Sequence, residues 1–185
     1  MGMAAPLYHT AEMVRALIDE TRHWPRYETV YGELLVTPAP RLWHQEVVAR
    51  LLVALRTYVA REGVGHAFAS PSDISWGPDT LVQPDVFVVP TEEARTLTWS
   101  KVTTLHLAIE VLSPSSVRAD RFTKRHLYQD VGVPLYWVID AEHRTAEVWR
   151  QVDLFPRTGN ECLVWTPNGA ADPFEMPLEE LFWPI

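Results

Sequence analysis

Apolar residues recur along this chain with two different periods, and the alternation between them lays out its elements. Residues 42–62 carry Val47, Val48, Leu51, Leu52, Leu55, Tyr58 and Val59 at the spacing of one helix face, and Gly63 is a fitting C-terminal stop. A shorter stripe of Met13, Val14, Leu17 and Ile18 predicts a helix over 10–22, with Thr10 as N-cap and Pro25 ending it. YETVYGELLV (27–36) sets β-branched and aromatic residues on either side of Tyr31-Gly32 and predicts a hairpin. Strands are predicted at 64–69, 72–76 and 80–89. The last of these and 103–112 are apolar on both faces, as central strands are. A helix over 118–131 follows, then the strand LYWVID (135–140). TAEVWRQ (145–151) and CLVWT (162–166) are expected to extend the sheet, and PLEELF (177–182) to close with a helical turn.

This order predicts an α/β (α+β) fold, a mixed sheet flanked by helices with an N-terminal helix and hairpin. The strand–helix–strand over 103–140 has the length of a crossover between parallel strands. There is no Gly-rich turn of a dinucleotide or P-loop site, no internal repeat and no low-complexity linker. With 185 residues, 47% of them hydrophobic, the chain is expected to form one domain. Its core spans about 27–151, flanked by a helical extension (1–26) and a C-terminal extension (152–185).

Cys162 is the only cysteine, which excludes an intrachain disulfide and a cysteine-based zinc cluster and points to a reducing cytoplasm. No apolar run reaches the roughly eighteen residues of a membrane span, and the N-terminus lacks the pattern of a secretory signal.

The formal charge of −8 opposes non-specific nucleic-acid binding through the overall field. It is unevenly spread. Arg118, Arg121, Lys124 and Arg125 face only Asp120 within RADRFTKR, whereas 161–180 has five acidic residues and no lysine or arginine. Lys101 and Lys124 are the only lysines among sixteen lysines and arginines.

Two carboxylates interrupt the apolar central strands: Asp85 in VQPDVFVV and Glu110 in LAIEVLSPS. A buried carboxylate is costly without a compensating cation or donors, and two on neighbouring strands repel each other. A divalent cation between them is the simplest remedy, and oxygen ligands suit Mg2+ or Mn2+. The plainer alternative pairs each with an arginine or a backbone turn. Pro84 cannot donate to a ladder, so Asp85 stands where its strand is irregular. Asp120 and Lys124 share a helix face with Tyr128 one turn on. They are either a surface ion pair worth a few tenths of a kcal/mol or a face laid over the carboxylates that offers Lys124 to a phosphate. A paired-carboxylate glycosidase has no use for the basic helix.

At these residues the chain resembles the Uma-type bacterial family of restriction-endonuclease-like proteins, a branch of the PD-(D/E)XK nuclease superfamily. YETVYGELLV, WHQEVVARLL, VQPDVFVV and LAIEVLSPSSVRADRFTKRHLYQDVGVPLYWVID carry the likeness. The resemblance implies metal ligation by Asp85 and Glu110. The superfamily lysine usually stands two residues after the acid, where this chain has Leu112; the resemblance implies a lysine moved to the next helix, Lys124. It further suggests Glu46, with His44 beside it, as a supporting acid from the first core helix, with Asp120 and Tyr128 also in support; Asp73 and Glu33 lie within possible reach. The implied activity is Mg2+-dependent hydrolysis of phosphodiester bonds in nucleic acid, DNA foremost, with Arg118, Arg121 and Arg125 gripping the backbone. An inactive domain kept for binding or assembly is the alternative. Cutting both strands of a duplex calls for two sites, hence a homodimer or higher homo-oligomer, with Trp76, Trp99, Trp165 and Trp183 as interface candidates.

Overall fold

A six-stranded sheet organises the chain. It is built from β3 (His66–Ala69), β6 (Val86–Val89), β7 (Leu107–Val111), β8 (Leu135–Asp140), β9 (Thr145–Arg150) and β10 (Arg157–Gly159), in the order β10-β9-β8-β7-β6-β3. The computed structural model describes residues 7–18, 24–159 and 161–185. Only β7 and β8 run parallel, with Glu110 opposite Val138; the other neighbours are antiparallel. The crossover expected over 103–140 is therefore present, and the sheet is mixed.

Alternate side chains of the central strands feed two cores, as the two-residue strand period requires. Leu107, Ile109, Val111, Trp137 and Ile139 pack with Val47, Leu51 and Leu55 of α2 (Leu42–Glu62). Ala108, Leu112, Tyr136 and Val138 pack on the opposite side with Leu127 and Tyr128 of α4 (Arg125–Asp130). Gly63 ends α2 in the left-handed conformation, its N–H held by Val59.

A second, four-stranded sheet stands beside the first: β1 (Arg26–Val30), β2 (Glu33–Thr37), β4 (Ile74–Gly77) and β5 (Thr80–Val82), in the order β2-β1-β5-β4. Tyr31 and Gly32 turn the hairpin with φ of 52° and 82°, the positive pair that a tight two-residue turn needs.

Several expectations are corrected. The strand predicted at 80–89 is two strands in two sheets, broken at Gln83-Pro84-Asp85 where the chain crosses from one to the other. The Ser70 hydroxyl sits 2.8 Å and 2.7 Å from the carbonyls of Gln83 and Pro84, and the Ser70 N–H donates to that of Asp85 at 3.2 Å. The strand predicted at 103–112 begins only at Leu107, because the Glu93 carboxylate takes the N–H groups of Thr103 and Thr104. A short helix α3 (Thr91–Ala94) and a 3-10 turn (Trp99–Lys101) fill the preceding connection. CLVW (β11, Cys162–Trp165) does not extend the main sheet. It pairs with β12 (Phe174–Pro177) in a separate ribbon, followed by α5 (Leu178–Leu181). The helix predicted over 10–22 is α1 (Ala11–Arg15), capped by Thr10, and part of the prediction (19–22) lies outside the described residues. It stops early because only Ala11 and Val14 find a core, against Leu81, while Met13, Leu17 and Ile18 stay exposed. Of the tryptophans, Trp165 is buried in this chain's own core and stacks near Tyr58, whereas Trp183 is exposed.

Candidate active site

The break at Gln83-Pro84-Asp85 decides where Asp85 points. Leaving the small sheet and entering the large one, the chain buries the Asp85 side chain at the head of β6 with every oxygen used. Oδ1 accepts from Arg26 at 3.1 Å; Oδ2 accepts from the Val111 N–H at 2.9 Å and lies 3.2 Å from His44 Nε2. Burial works against the charge, but His44, Arg26 and the Val111 N–H outweigh it and hold the carboxyl down at about 2.

Glu110, on β7, faces the side of the sheet covered by α4. Lys124 and Tyr128 both donate to its Oε1, at 3.1 Å and 3.0 Å. No donor among the described residues reaches Oε2. Burial, with Asp120, Asp85 and Glu28 nearby, pushes this carboxyl well above the usual range despite the attraction of Lys124.

Lys124 arrives by an unusual backbone. Residues Ala119–Lys124 are a π-helical segment that runs directly into α4. The Tyr136 hydroxyl donates to the Asp120 carbonyl at 2.9 Å, and Arg125 Nε to that of Arg121 at 3.2 Å, satisfying oxygens in the irregular turn. Such insertions are frequent at functional sites. This one sends Asp120 and Lys124 inward together. Lys124 Nζ lies 2.9 Å from Glu28, 3.1 Å from Glu110 and 3.6 Å from Asp120. Burial disfavours its charge, but these carboxylates prevail and raise its affinity for the proton, so the ammonium is fixed. The Asp120–Lys124 pair is thus no surface salt bridge. Burial lifts Asp120 itself to about 6, only partly offset by Lys124.

Asp85, Glu110, Lys124, Asp120, His44 and Glu28 line one cleft, with Pro114 and Ser115 among its exposed lining residues. Glu46 is engaged elsewhere. It accepts from Arg50 at 2.8 Å, whose guanidinium also holds the carbonyls of Leu181 and Trp183. Of the three arginines, Arg118 is exposed. Arg121 is bound to Glu147 at 2.6 Å and Asp140 at 3.3 Å, and Arg125 bonds Gln129 and lies over the Trp149 ring at 4.6 Å. Asp73 holds the amide of Gln83 at 2.8 Å beside the site, and Glu33 is exposed on β2.

Two participants escaped the sequence reading. Arg26 and Glu28 come from β1, in the other sheet. Their signal is parity: Val30 is buried against the second core, so Glu28 and Arg26, two and four residues back, project to that same side.

Four carboxylates (Glu28, Asp85, Glu110, Asp120) meet two cations (Arg26, Lys124), with His44 adding a third when protonated. Among the described residues no three acidic, histidine or cysteine side chains form a ready-made metal cage. The donor chemistry nonetheless fits a hard divalent ion. Acidic side chains outnumber the basic ones there, no described residue donates to Glu110 Oε2, and Mg2+ is commonly held by one or two carboxylates with water completing its shell.

A mixed sheet carrying acidic residues on adjoining central strands, with a lysine brought over them, defines a restriction-endonuclease-like nuclease fold. The model of the Uma2 family, described as "Putative restriction endonuclease", matches residues 11–161, and the chain belongs to that family. Restriction-endonuclease-like proteins generally work with divalent metals. Among solved structures, a protein from Anabaena variabilis described as "a putative nuclease belonging to DUF820" is 19% identical and superposes with a TM-score of 0.77. The match covers 94% of this chain and 97% of that one, and it shows a shared fold. No curated protein matches the chain. No helix among the described residues is long and apolar enough to cross a membrane.

Proposed function

We propose that this chain is an Mg2+- or Mn2+-dependent endonuclease that hydrolyses phosphodiester bonds in nucleic acid, DNA foremost. The observation that carries the reading is the meeting of Asp85, Glu110 and Lys124 in one solvent-connected cleft where buried acidic side chains outnumber the basic ones. Asp85 and Glu110 would hold the ion, Glu110 through the Oε2 that no described residue reaches. Bound there, a divalent ion supplies charge neutralisation at the phosphate and an acidified water. Lys124, kept protonated by Glu28, Glu110 and Asp120, places a fixed positive charge at the floor of the cleft, where negative charge develops on the phosphoryl oxygens. Arg26 and His44 orient Asp85, and Tyr128 orients Glu110. Arg118, exposed and without an ion-pair partner among the described residues, would meet a backbone phosphate. A homodimer, acting in the cytoplasm, would bring two such clefts to the two strands.

A second reading, an inactive domain kept for binding, draws support from Asp85, whose oxygens are already taken by Arg26, His44 and Val111 N–H. Calorimetry with Mn2+ separates the two. The nuclease reading expects binding that disappears in Asp85→Asn and Glu110→Gln, and cleavage of plasmid or oligonucleotide in Mg2+ that falls at least about a thousandfold in each. Wild-type protein that binds no metal and cuts nothing leaves the inactive domain.

A further inference from the structure

The ion pair of Arg26 and Asp85 is a wall shared by two cavities. The second is lined by Trp24, Pro40, Val48, Pro71, Gln45 and Gln83. We propose that it is a subsite for one unstacked nucleobase bearing an exocyclic amine, next to the phosphate held in the cleft. The substrate is then a single-stranded stretch or a flipped-out nucleotide rather than an undisturbed duplex. This rests on the nuclease reading above and specifies its substrate.

Gln83 carries the inference. Its side chain is buried, with the residue 6% exposed, yet its Oε1 has no hydrogen-bond partner. The amide orientation is not arbitrary. Nε2 donates at 2.8 Å to Asp73 Oδ1, a carboxylate that can only accept, so the oxygen must occupy the other position. The backbone is held equally firmly, its N–H on Glu28 Oε1 at 2.7 Å and its carbonyl on the Ser70 hydroxyl at 2.8 Å. A buried acceptor left empty costs free energy unless a ligand fills it. Gln83 is among the residues lining the cavity, so a ligand seated there is what can complete this acceptor.

The other walls suit a flat, largely apolar ring. Trp24, Pro40, Pro71 and Val48 offer apolar surface, and Arg26 lies over one face of the Trp24 indole at 4.8 Å from its centroid. An aromatic wall with one fixed acceptor favours adenine, cytosine or guanine, whose exocyclic amines offer two N–H groups; unpaired thymine offers only its ring N3–H. Bases within a duplex keep those edges paired, so the ring must leave the stack to enter. Glu28 ties the two cavities together, since it holds Gln83 N–H with one oxygen and Lys124 with the other.

The test measures fluorescence anisotropy of labelled single-stranded oligodeoxynucleotides (dC, dA, dT and a strand with abasic positions) in EDTA at fixed salt. Cleavage of the same strands in Mg2+ or Mn2+ is followed separately. Wild-type protein is expected to bind dA and dC about tenfold tighter than dT, and dT in turn tighter than the abasic strand, since every base can stack on the aromatic wall. Gln83→Met should erase that preference while leaving abasic binding unchanged, and Trp24→Ala should weaken every strand that carries bases. A thermal melt confirms that both variants are folded. Equal affinity for abasic and base-bearing strands, or no binding at all, overturns the subsite. Base preference that survives Gln83→Met in folded protein also overturns it. Preference for dA and dC without metal-dependent cutting supports the subsite and refutes the nuclease; metal-dependent cutting without any preference does the reverse.

Discussion

Asp85 and Glu110 are buried to nearly the same degree, 5% and 2% exposed, at the head of one strand and within its neighbour, yet their surroundings drive them apart. Asp85 receives donors on both oxygens and stays ionised far into acid. Glu110 receives its two donors on a single oxygen, among three other carboxylates, and holds its proton unusually tightly. Burial alone therefore does not set the state of a buried acid. The number and placement of the donors do. In the metal-free protein one carboxylate is fully partnered, and the other keeps an oxygen to which no described residue donates.

The largest expected effect breaks the fully partnered side. Arg26→Ala leaves Asp85 short of a partner inside the protein and should cost about 3–5 kcal/mol in urea denaturation. Glu110→Gln in metal-free protein should be near neutral or stabilising, since it removes repulsion. Equal losses from both would mean that the two sites do not differ as described.

Lys124→Ala should lower the cleavage rate by about two to three decades while leaving Mn2+ affinity by calorimetry largely intact. Glu110 and Leu112 project to one side of the sheet, so Leu112→Lys added to Lys124→Ala should recover part of the loss. A single variant that cuts at the wild-type rate would remove Lys124 from the chemistry.

Metal should complete the other side. At one hundred times its dissociation constant, Mg2+ should raise stability by about 2.7 kcal/mol, seen in a melt and absent in Asp85→Asn and Glu110→Gln. Without metal, pH should reveal the same strain. Asp120 is raised from 3.8 to about 6; its contribution is full below its unfolded value and is lost as pH rises through about 6. Metal-free protein should therefore melt at a lower temperature at pH 7.5 than at pH 5, and Asp120→Asn should flatten that slope. The smallest effect lies outside the cleft: Arg118→Glu should reduce the salt dependence of DNA binding by about 0.9 in log–log slope for a lost phosphate contact.

Much of this site was legible because buried charge stands out against apolar pattern. Asp85 and Glu110 each interrupt a run of hydrophobes, and Lys124 is one of only two lysines. Glu28 and Arg26 were harder to find because the hairpin alternates mixed residue types, so neither looks out of place until the second sheet is known to abut the first. Arg121 and Arg125 read as a free basic patch, but long-range partners, Glu147 and Asp140 for one and the Trp149 ring for the other, occupy them.

The sequence by itself determined the helix and strand periods, the two buried carboxylates, the local irregularity that Pro84 imposes and the parallel crossover, since each follows from local spacing or from the cost of burying charge. Tertiary structure alone decided which donors reach which oxygen. It split 80–89 between two sheets, started the lysine-bearing helix with a π-helical segment that turns Lys124 inward, and laid β1 against the cleft so that Glu28 completes the lysine's shell. These outcomes depend on atoms brought within about 3 Å from segments tens of residues apart, where hydrogen bonds and charge coupling are decided, and no periodicity within either segment encodes that meeting.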